Sequence, residues 1–219
     1  MSNNLWRAMW KDDNTAFHQT EINPLLTQFL PKLNLPKSSR ILVPLCGKSL
    51  DMNLLADSGH HVIGIELSSI AAKDYFEALN VQPSIERIGC FTRFRYRKTE
   101  IWCGDIFDLT AKDIHRHSVL YDCTSITAFP AERRPEYIRH FHQRLSIDSQ
   151  IILLTTESAN ETAINSTLTI DDEVLSLYQK HYDIQLLHGR NCLKQDPAFP
   201  NEPYRMMDEK IYQITRRSN

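Results

Sequence analysis

Ile41-Leu42-Val43-Pro44-Leu45-Cys46-Gly47-Lys48-Ser49, followed by His61-Val62-Ile63-Gly64-Ile65-Glu66-Leu67, reads as a strand, a sharp turn, a helix and a second strand that ends in an acid. In an open α/β sheet, small molecules bind at the carboxyl ends of the strands. An acid about 20 residues past the first loop is placed to hold a ribose diol. Glu66 stands at that spacing, so the expected ligand contains ribose.

The composition of the first loop narrows the nucleoside. A pyrophosphate cradle needs several glycines so that backbone amides and a helix N-terminus can close on the charge. Here Pro44 has no amide hydrogen to donate, Gly47 is the single glycine of the turn, and Leu45 and Cys46 carry bulk. S-adenosylmethionine has no phosphate, and its adenosine, amino-acid tail and sulfonium suit a wider turn. The methyl donor is therefore the expected cofactor. A nicotinamide-dependent oxidoreductase, which shares the strand-loop-helix-acid layout, fits less well for lack of the second and third glycines.

The 219 residues suit one domain. The hydrophobic fraction of 42% beside 24% charged residues is that of an ordinary globular chain with a sizeable core. A net charge of −2 supplies no footprint for nucleic acid. Arg93, Arg95, Arg97 and Lys98 cluster, but alternation with Phe94 and Tyr96 puts them on a solvated strand face. The five cysteines (Cys46, Cys90, Cys103, Cys123 and Cys192) are odd in number and form no C-x-x-C pair, which points to a reducing compartment rather than to disulfides or zinc. With no signal pattern and no apolar run of membrane length, a cytoplasmic location is expected. The oligomeric state is not legible in the sequence, with a monomer favoured. His115 with His117 and His140 with His142 lack companion acids or cysteines, so they are expected to be exposed polar residues and no metal site is expected.

Periodicity gives the organisation. Residues 1–36 form an N-terminal lid or flap on a single domain, punctuated by Pro24, Pro31 and Pro36. Strands are expected at 40–44, 61–65, 91–96, 100–103, 119–123, 150–156, 183–187 and 210–215. Helices are expected from Ser49 or Asp51 to Ser58, from the Ser68 cap to Leu79, over 131–145, and from Asp171 or Asp172 to His181. Asn160 to Thr169 is expected to be a mobile loop. Alternating strands and helices imply a mostly parallel sheet with helices on both faces.

Several motifs stand in order: Trp6-x-x-x-Trp10, Phe17-His18-Gln19, Val43 to Ser49, Gly64 to Ser68, and Cys103-Gly104-Asp105 through Leu109. On these the chain resembles the thiopurine S-methyltransferases of the bacterial type, as a divergent member. The resemblance implies the class I S-adenosylmethionine-dependent methyltransferase fold, Rossmann-like, with a mostly parallel seven-stranded sheet. It implies that Trp6, Trp10, Leu45, Gly47, Glu66, Leu67, Asp105 and Ile106 hold the donor. Asp105 would accept from the adenine amine, Ile106 would wall the ring, and Trp10 would cover the methionine part. Phe17 would pack on a small-molecule acceptor, a soft thiol, thione or metalloid nucleophile, with His18 structural.

The chain departs from that family on the acceptor side. Relatives end the fourth strand with an aspartate-arginine pair whose arginine faces the acceptor; here the residues are Asp122 and Cys123. The usual loop after the fifth strand is replaced by Thr156-Glu157-Ser158-Ala159-Asn160, and the late Pro197-Ala198-Phe199 is followed by Pro200 rather than arginine. Cys123 occupies the family's catalytic and substrate position without its charge. An alternative is thus a donor-binding protein with little or no thiopurine activity. Cys123 as a nucleophile has no histidine placed beside it by the motifs and reads better as buried filler.

Overall fold

The apolar runs at 41–43, 62–65, 119–121 and 151–154 become neighbouring parallel strands, and the helices between them in sequence pack on the two faces of the sheet. The computed structural model describes residues 3–15, 17–114, 116–158, 170–194 and 205–217. The elements run α1 (Asn3–Lys11), α2 (Pro24–Phe29), β1 (Arg40–Val43), α3 (Asp51–Asp57), β2 (His61–Glu66) and α4 (Ser69–Ala78). A hairpin pair follows in β3 (Ser84–Ile88), β4 (Phe91–Tyr96) and β5 (Thr99–Cys103), then α5 (Ala111–Ile114), β6 (Val119–Cys123) and α6 (Arg134–His142). The chain closes with β7 (Gln150–Ser158), α7 (Ile170–Gln179), β8 (Tyr182–Lys194) and β9 (Arg205–Arg216).

The strands form one sheet in the order β3-β4-β5-β2-β1-β6-β7-β9-β8. Its five central strands are parallel, and the β3-β4-β5 and β7-β9-β8 flanks are antiparallel. Nine strands stand where the resemblance implies seven and the periodicity gives eight. The one that the periodicity did not give is β3, a solvent-side edge whose Ser84 to Arg87 are exposed, so it carries no apolar face for a pattern to reveal. Arg93 and Arg95 are neutralised across this flank by Glu86 and Glu100.

Two buried clusters lie on the two faces of the sheet. One joins Ile41, Val43, Tyr121, Leu154 and Ile211 to α2, α3 and α4; the other joins Leu42, Ile63, Leu120 and Leu153 to α6 and α7. The N-terminal segment is divided by this packing. Leu25, Leu26, Phe29, Leu30 and Leu33 belong to the first cluster, so a flap reaching residue 36 is too long and only the part before Asn23 lies outside that core. Asn23 caps α2 and its amide donates to Asp51 Oδ1 at 2.7 Å, which ties α2 to the start of α3.

The histidine expectation is corrected: His117 and His140 are buried and His142 is half-buried, each packed against neighbouring elements. His115, the expected loop 160–169 and the Pro197 to Pro200 motif lie outside the described residues. Among the described residues, no helix is long and apolar enough to cross a membrane.

Candidate active site

The switch point of this sheet lies between β1 and β6, where the loops after the two strands diverge. The local backbone is bent there. Leu45 (φ 44°), Gly47 (φ 51°) and Thr124 (φ 60°) all take left-handed conformations, a strained choice for leucine and threonine that clusters at functional loops. Two bonds fix the loops: the Cys46 amide donates to the Ile65 carbonyl at 3.0 Å, and Ser125 Oγ donates to the Pro44 carbonyl at 2.8 Å.

Glu66 ends β2 beside this loop and is buried. Its Oε2 accepts from the Gly47 amide at 2.9 Å and its Oε1 from the Ser68 amide at 2.7 Å. Burial pushes its carboxyl up, and the bonds from the Ser68, Gly47 and Leu67 amides oppose that rise. Each carboxylate oxygen keeps further lone-pair capacity. Glu66 is thus already holding the loop in shape, and its acceptor capacity is not exhausted.

Two glycines explain why the motif needs them. A Cβ on Gly47 would lie 3.1 Å from Trp10 Cζ2, so the indole covers the turn directly. A Cβ on Gly64 would collide with the Cys46 and Met52 side chains, which pack onto β2 at that point. Above the loop, Phe17 stands edge-on to both Trp6 (5.3 Å) and Trp10 (5.5 Å), making one aromatic unit from α1 and the turn after it. His18 follows, lowered in pKa by burial and then by Lys48, whose ammonium lies 3.7 Å from Asp74 and 5.7 Å from the Trp10 ring.

The end of β5 supplies the next wall. Asp105 caps the short helical turn Ile106–Asp108 through Phe107 N, 2.9 Å from Oδ1. Its other oxygen accepts from Asn3 Nδ2 at 2.5 Å, so α1 reaches across from the glycine turn to the β5 end. Ile106 is buried, and Leu67 is half-buried with its carbonyl 3.7 Å from Cys103 Sγ. The expected set therefore divides by contact. Trp6, Trp10, Phe17, Gly47 and Glu66 form one linked group, Asp105 and Ile106 join it through α1, and Leu45 lies in the same turn. Cys123 is half-buried at the end of β6, on the far side of the switch point.

Two buried acids carry structure that sequence reasoning did not assign. Asp122 is fully buried, accepts from Tyr137 Oη at 2.8 Å and from Ser125 N at 2.7 Å, and so shapes the turn that follows Cys123. Asp51, expected as a helix cap, turns its carboxylate inward to Tyr121 Oη (2.7 Å) and Asn23 N, while Ser49 Oγ accepts from the Asp51 amide at 3.2 Å. Burial raises the pKa of both. The available signal was an acid at the end of an apolar strand, Tyr121-Asp122, with a partner tyrosine whose position only the fold reveals. Among the described residues no group of three or more His, Cys, Asp or Glu is placed to hold a metal ion.

Comparison with known proteins gives a consistent result. Residues 1–217 match the family described as thiopurine S-methyltransferase (TPMT). A thiopurine S-methyltransferase of Bordetella petrii is 35% identical over 218 residues, which is 99% of this chain and 100% of the relative. One from Stutzerimonas stutzeri is 37% identical over 214 residues, covering 97% and 90%. Among solved structures, the protein reported under "Conversion of a Disulfide Bond into a Thioacetal Group during Echinomycin Biosynthesis" superposes with a TM-score of 0.66 at 15% identity over 99% of this chain and 94% of that one. Magnesium protoporphyrin IX methyltransferase from Synechocystis, solved with bound S-adenosylhomocysteine, gives 0.58 at 14% identity over 96% and 99%. At those identities the likeness is one of fold.

Proposed function

Because the chain belongs to the thiopurine S-methyltransferase family, and is thereby an S-adenosylmethionine-dependent S-methyltransferase, we propose that it methylates a small soft nucleophile at the mouth of the β1–β6 switch point, with Cys123 in place of an acceptor-facing cation. The observation that carries this reading is the Glu66 carboxylate bonded to the Gly47 amide directly beneath Trp10. Ribose acceptor, donor turn and aromatic cover are one physical unit.

The residues fit the donor by their chemistry. Glu66 can take the two ribose hydroxyls, Asp105 can accept from the adenine amine where Asn3 now donates, and Ile106 with Leu67 offers apolar walls to the ring. Leu45 and Gly47 present backbone to the amino-acid tail, and Trp6 and Trp10 offer aromatic surface for the positive end, an attraction of ~0.5–2 kcal/mol. When bound, the cofactor supplies an electrophilic methyl group on a sulfonium. The chain's part is to position and to dry the site. In-line displacement by a sulfur nucleophile gains chiefly from orientation and exclusion of water, and the Trp6-Phe17-Trp10 unit is a cover suited to both.

Cys123 sets the expectation for the acceptor. A thiol cannot supply the charge-assisted bond of an arginine, which contributes ~1.5–3 kcal/mol. Thiopurine turnover is therefore expected to be weak, and Cys123→Arg is expected to raise it about tenfold or more while leaving donor affinity near its starting value. Methyl transfer across a panel of thiols, thiones and selenides, with calorimetry for the donor, tests this. Wild-type thiopurine turnover equal to that of an arginine-bearing relative would remove the role of position 123. Tight donor binding with no acceptor methylated would leave a donor-binding protein without turnover, the reading that the missing cation also favours.

A further inference from the structure

The antiparallel flank extends the acceptor wall beyond Cys123. Register fixes which side chains share its face: Cys123 pairs with Leu154, two residues on Thr156 pairs with Glu209, and Glu209 pairs with Arg190. Directly paired residues and residues two apart project to the same side of a sheet. Leu154 and Ile211 place that side in the cluster that holds α2, the side from which the N-terminal segment approaches. On it, Glu209 is 1% exposed and Arg190 32% exposed, joined through Nε at 2.9 Å and Nη2 at 2.6 Å to the same carboxylate oxygen.

We propose that Arg190, held in place by Glu209, is the cation of the acceptor site and that the enzyme selects acceptors carrying an anionic group at the end remote from the nucleophilic sulfur. The inference rests on the acceptor reading given above and adds the substrate class. The two bonds to Glu209 use two of the five guanidinium N–H groups and fix its plane, leaving donors for an oxyanion. Distance decides which end of the acceptor it meets. Three strand spacings of ~4.7–4.9 Å across the sheet and a two-residue offset of about 7 Å along it separate Cys123 from Arg190, about 16 Å in all, and Glu209 draws the guanidinium back by one spacing. A cation there spans a flat ring from the far side rather than touching the reacting atom.

That placement suits the chemistry. As the thiolate lone pair forms the new S–CH3 bond, the bond from methyl to the sulfonium breaks and its electron pair goes to that sulfur, so both charges vanish. A cation at position 123 would act on the reacting sulfur itself, by favouring its thiolate form. A cation on a spectator anion stabilises ground state and transition state equally, which lowers KM and leaves kcat unchanged.

The test compares two aromatic thiols, 4-mercaptobenzoate and 4-methylthiophenol, with the full chain. The ratio of their kcat/KM values should favour the carboxylate in the wild type and fall about tenfold in Arg190→Gln, through KM, with most of the ratio recovered in Arg190→Lys. A purely structural role for the ion pair would depress both acceptors alike, and an unchanged ratio overturns the proposal. Arg190→Gln combined with Glu209→Gln serves if the buried carboxylate alone destabilises the single variant. Binding of 4-(methylthio)benzoate to protein saturated with S-adenosylhomocysteine reads the same site without turnover: about tenfold weaker binding in Arg190→Gln is expected, and equal affinity overturns the inference. Failure of S-adenosylhomocysteine itself to bind would instead overturn the proposed function.

Discussion

Glu66 shows how one residue can be read for two tasks that sequence distinguishes poorly. Its place after an apolar run marks it as a ribose acid, yet its oxygens already accept from the Gly47 and Ser68 amides. Glu66→Gln keeps the shape but turns an amide NH2 toward one of those N–H groups, leaving a buried donor unpaired. Donor binding is expected to weaken by ~1.5–3 kcal/mol and unfolding to become easier by ~1–3 kcal/mol. Titration calorimetry and urea denaturation check the two effects separately; loss of stability with full donor affinity would restrict Glu66 to loop support. Asp122 marks the limit of residue-scale reading. The sequence places it beside Cys123, but its partner Tyr137 stands on α6, and only three-dimensional packing brings the hydroxyl to the carboxylate.

At the scale of elements, the parallel core was legible because its strands are apolar runs followed by helical stretches: β1, β2 and β6 and the Ser68 cap of α4 appear where expected. The flanks were legible only in part: strands at 91–96, 100–103, 183–187 and 210–215 were expected, but β3 and the full length of the last two strands were not. β8 runs from Tyr182 to Lys194 and β9 from Arg205 to Arg216, well past their apolar centres, because polar residues such as Arg190 and Glu209 continue the ladder by pairing across it. The N-terminal segment is likewise an element-scale matter. α1 has nine residues, too few for a stable isolated helix, so its order depends on what it touches. Phe17 holds two of those contacts, each worth ~0.5–1.5 kcal/mol. In Phe17→Ala, amide exchange of residues 3–11 is expected to accelerate about tenfold or more and to slow again on adding S-adenosylhomocysteine. Exchange unchanged from wild type would assign the hold on α1 to the Asn3–Asp105 bond and the Trp10–Gly47 contact instead.

Across the whole molecule, the two faces of the sheet differ in what they bury. The α2–α3–α4 face ends in the turn of Cys46 and Gly47, whereas the α6–α7 face buries His140 under the loop that carries Asp105 and Ile106. His140 lies edge-on to Phe107 and Phe141 at 5.4 Å each, and its Nε2 has no hydrogen-bond partner among the described residues. The sequence offered only a His-x-His pattern, which reads as exposed; the amphipathic turn of α6 puts one member inside. Burial, and then the nearby Arg144, lower its pKa from 6.5 to about 4, against an opposing pull from Glu136. The unfolded chain therefore binds a proton that the folded ring refuses. Stability is complete above pH 6.5 and is lost as pH falls from there toward about 4. Between pH 7 and pH 5 this one group is expected to cost about 1–2 kcal/mol. His140→Phe keeps an aromatic ring against Phe107 and removes the titration, so its urea midpoint should fall less over that interval than the wild type's. His18, His60 and His142, also lowered by burial, are present in both proteins and cancel in the comparison. Equal slopes would mean that the fold opens locally at α6 to protonate His140 before the molecule unfolds as a whole.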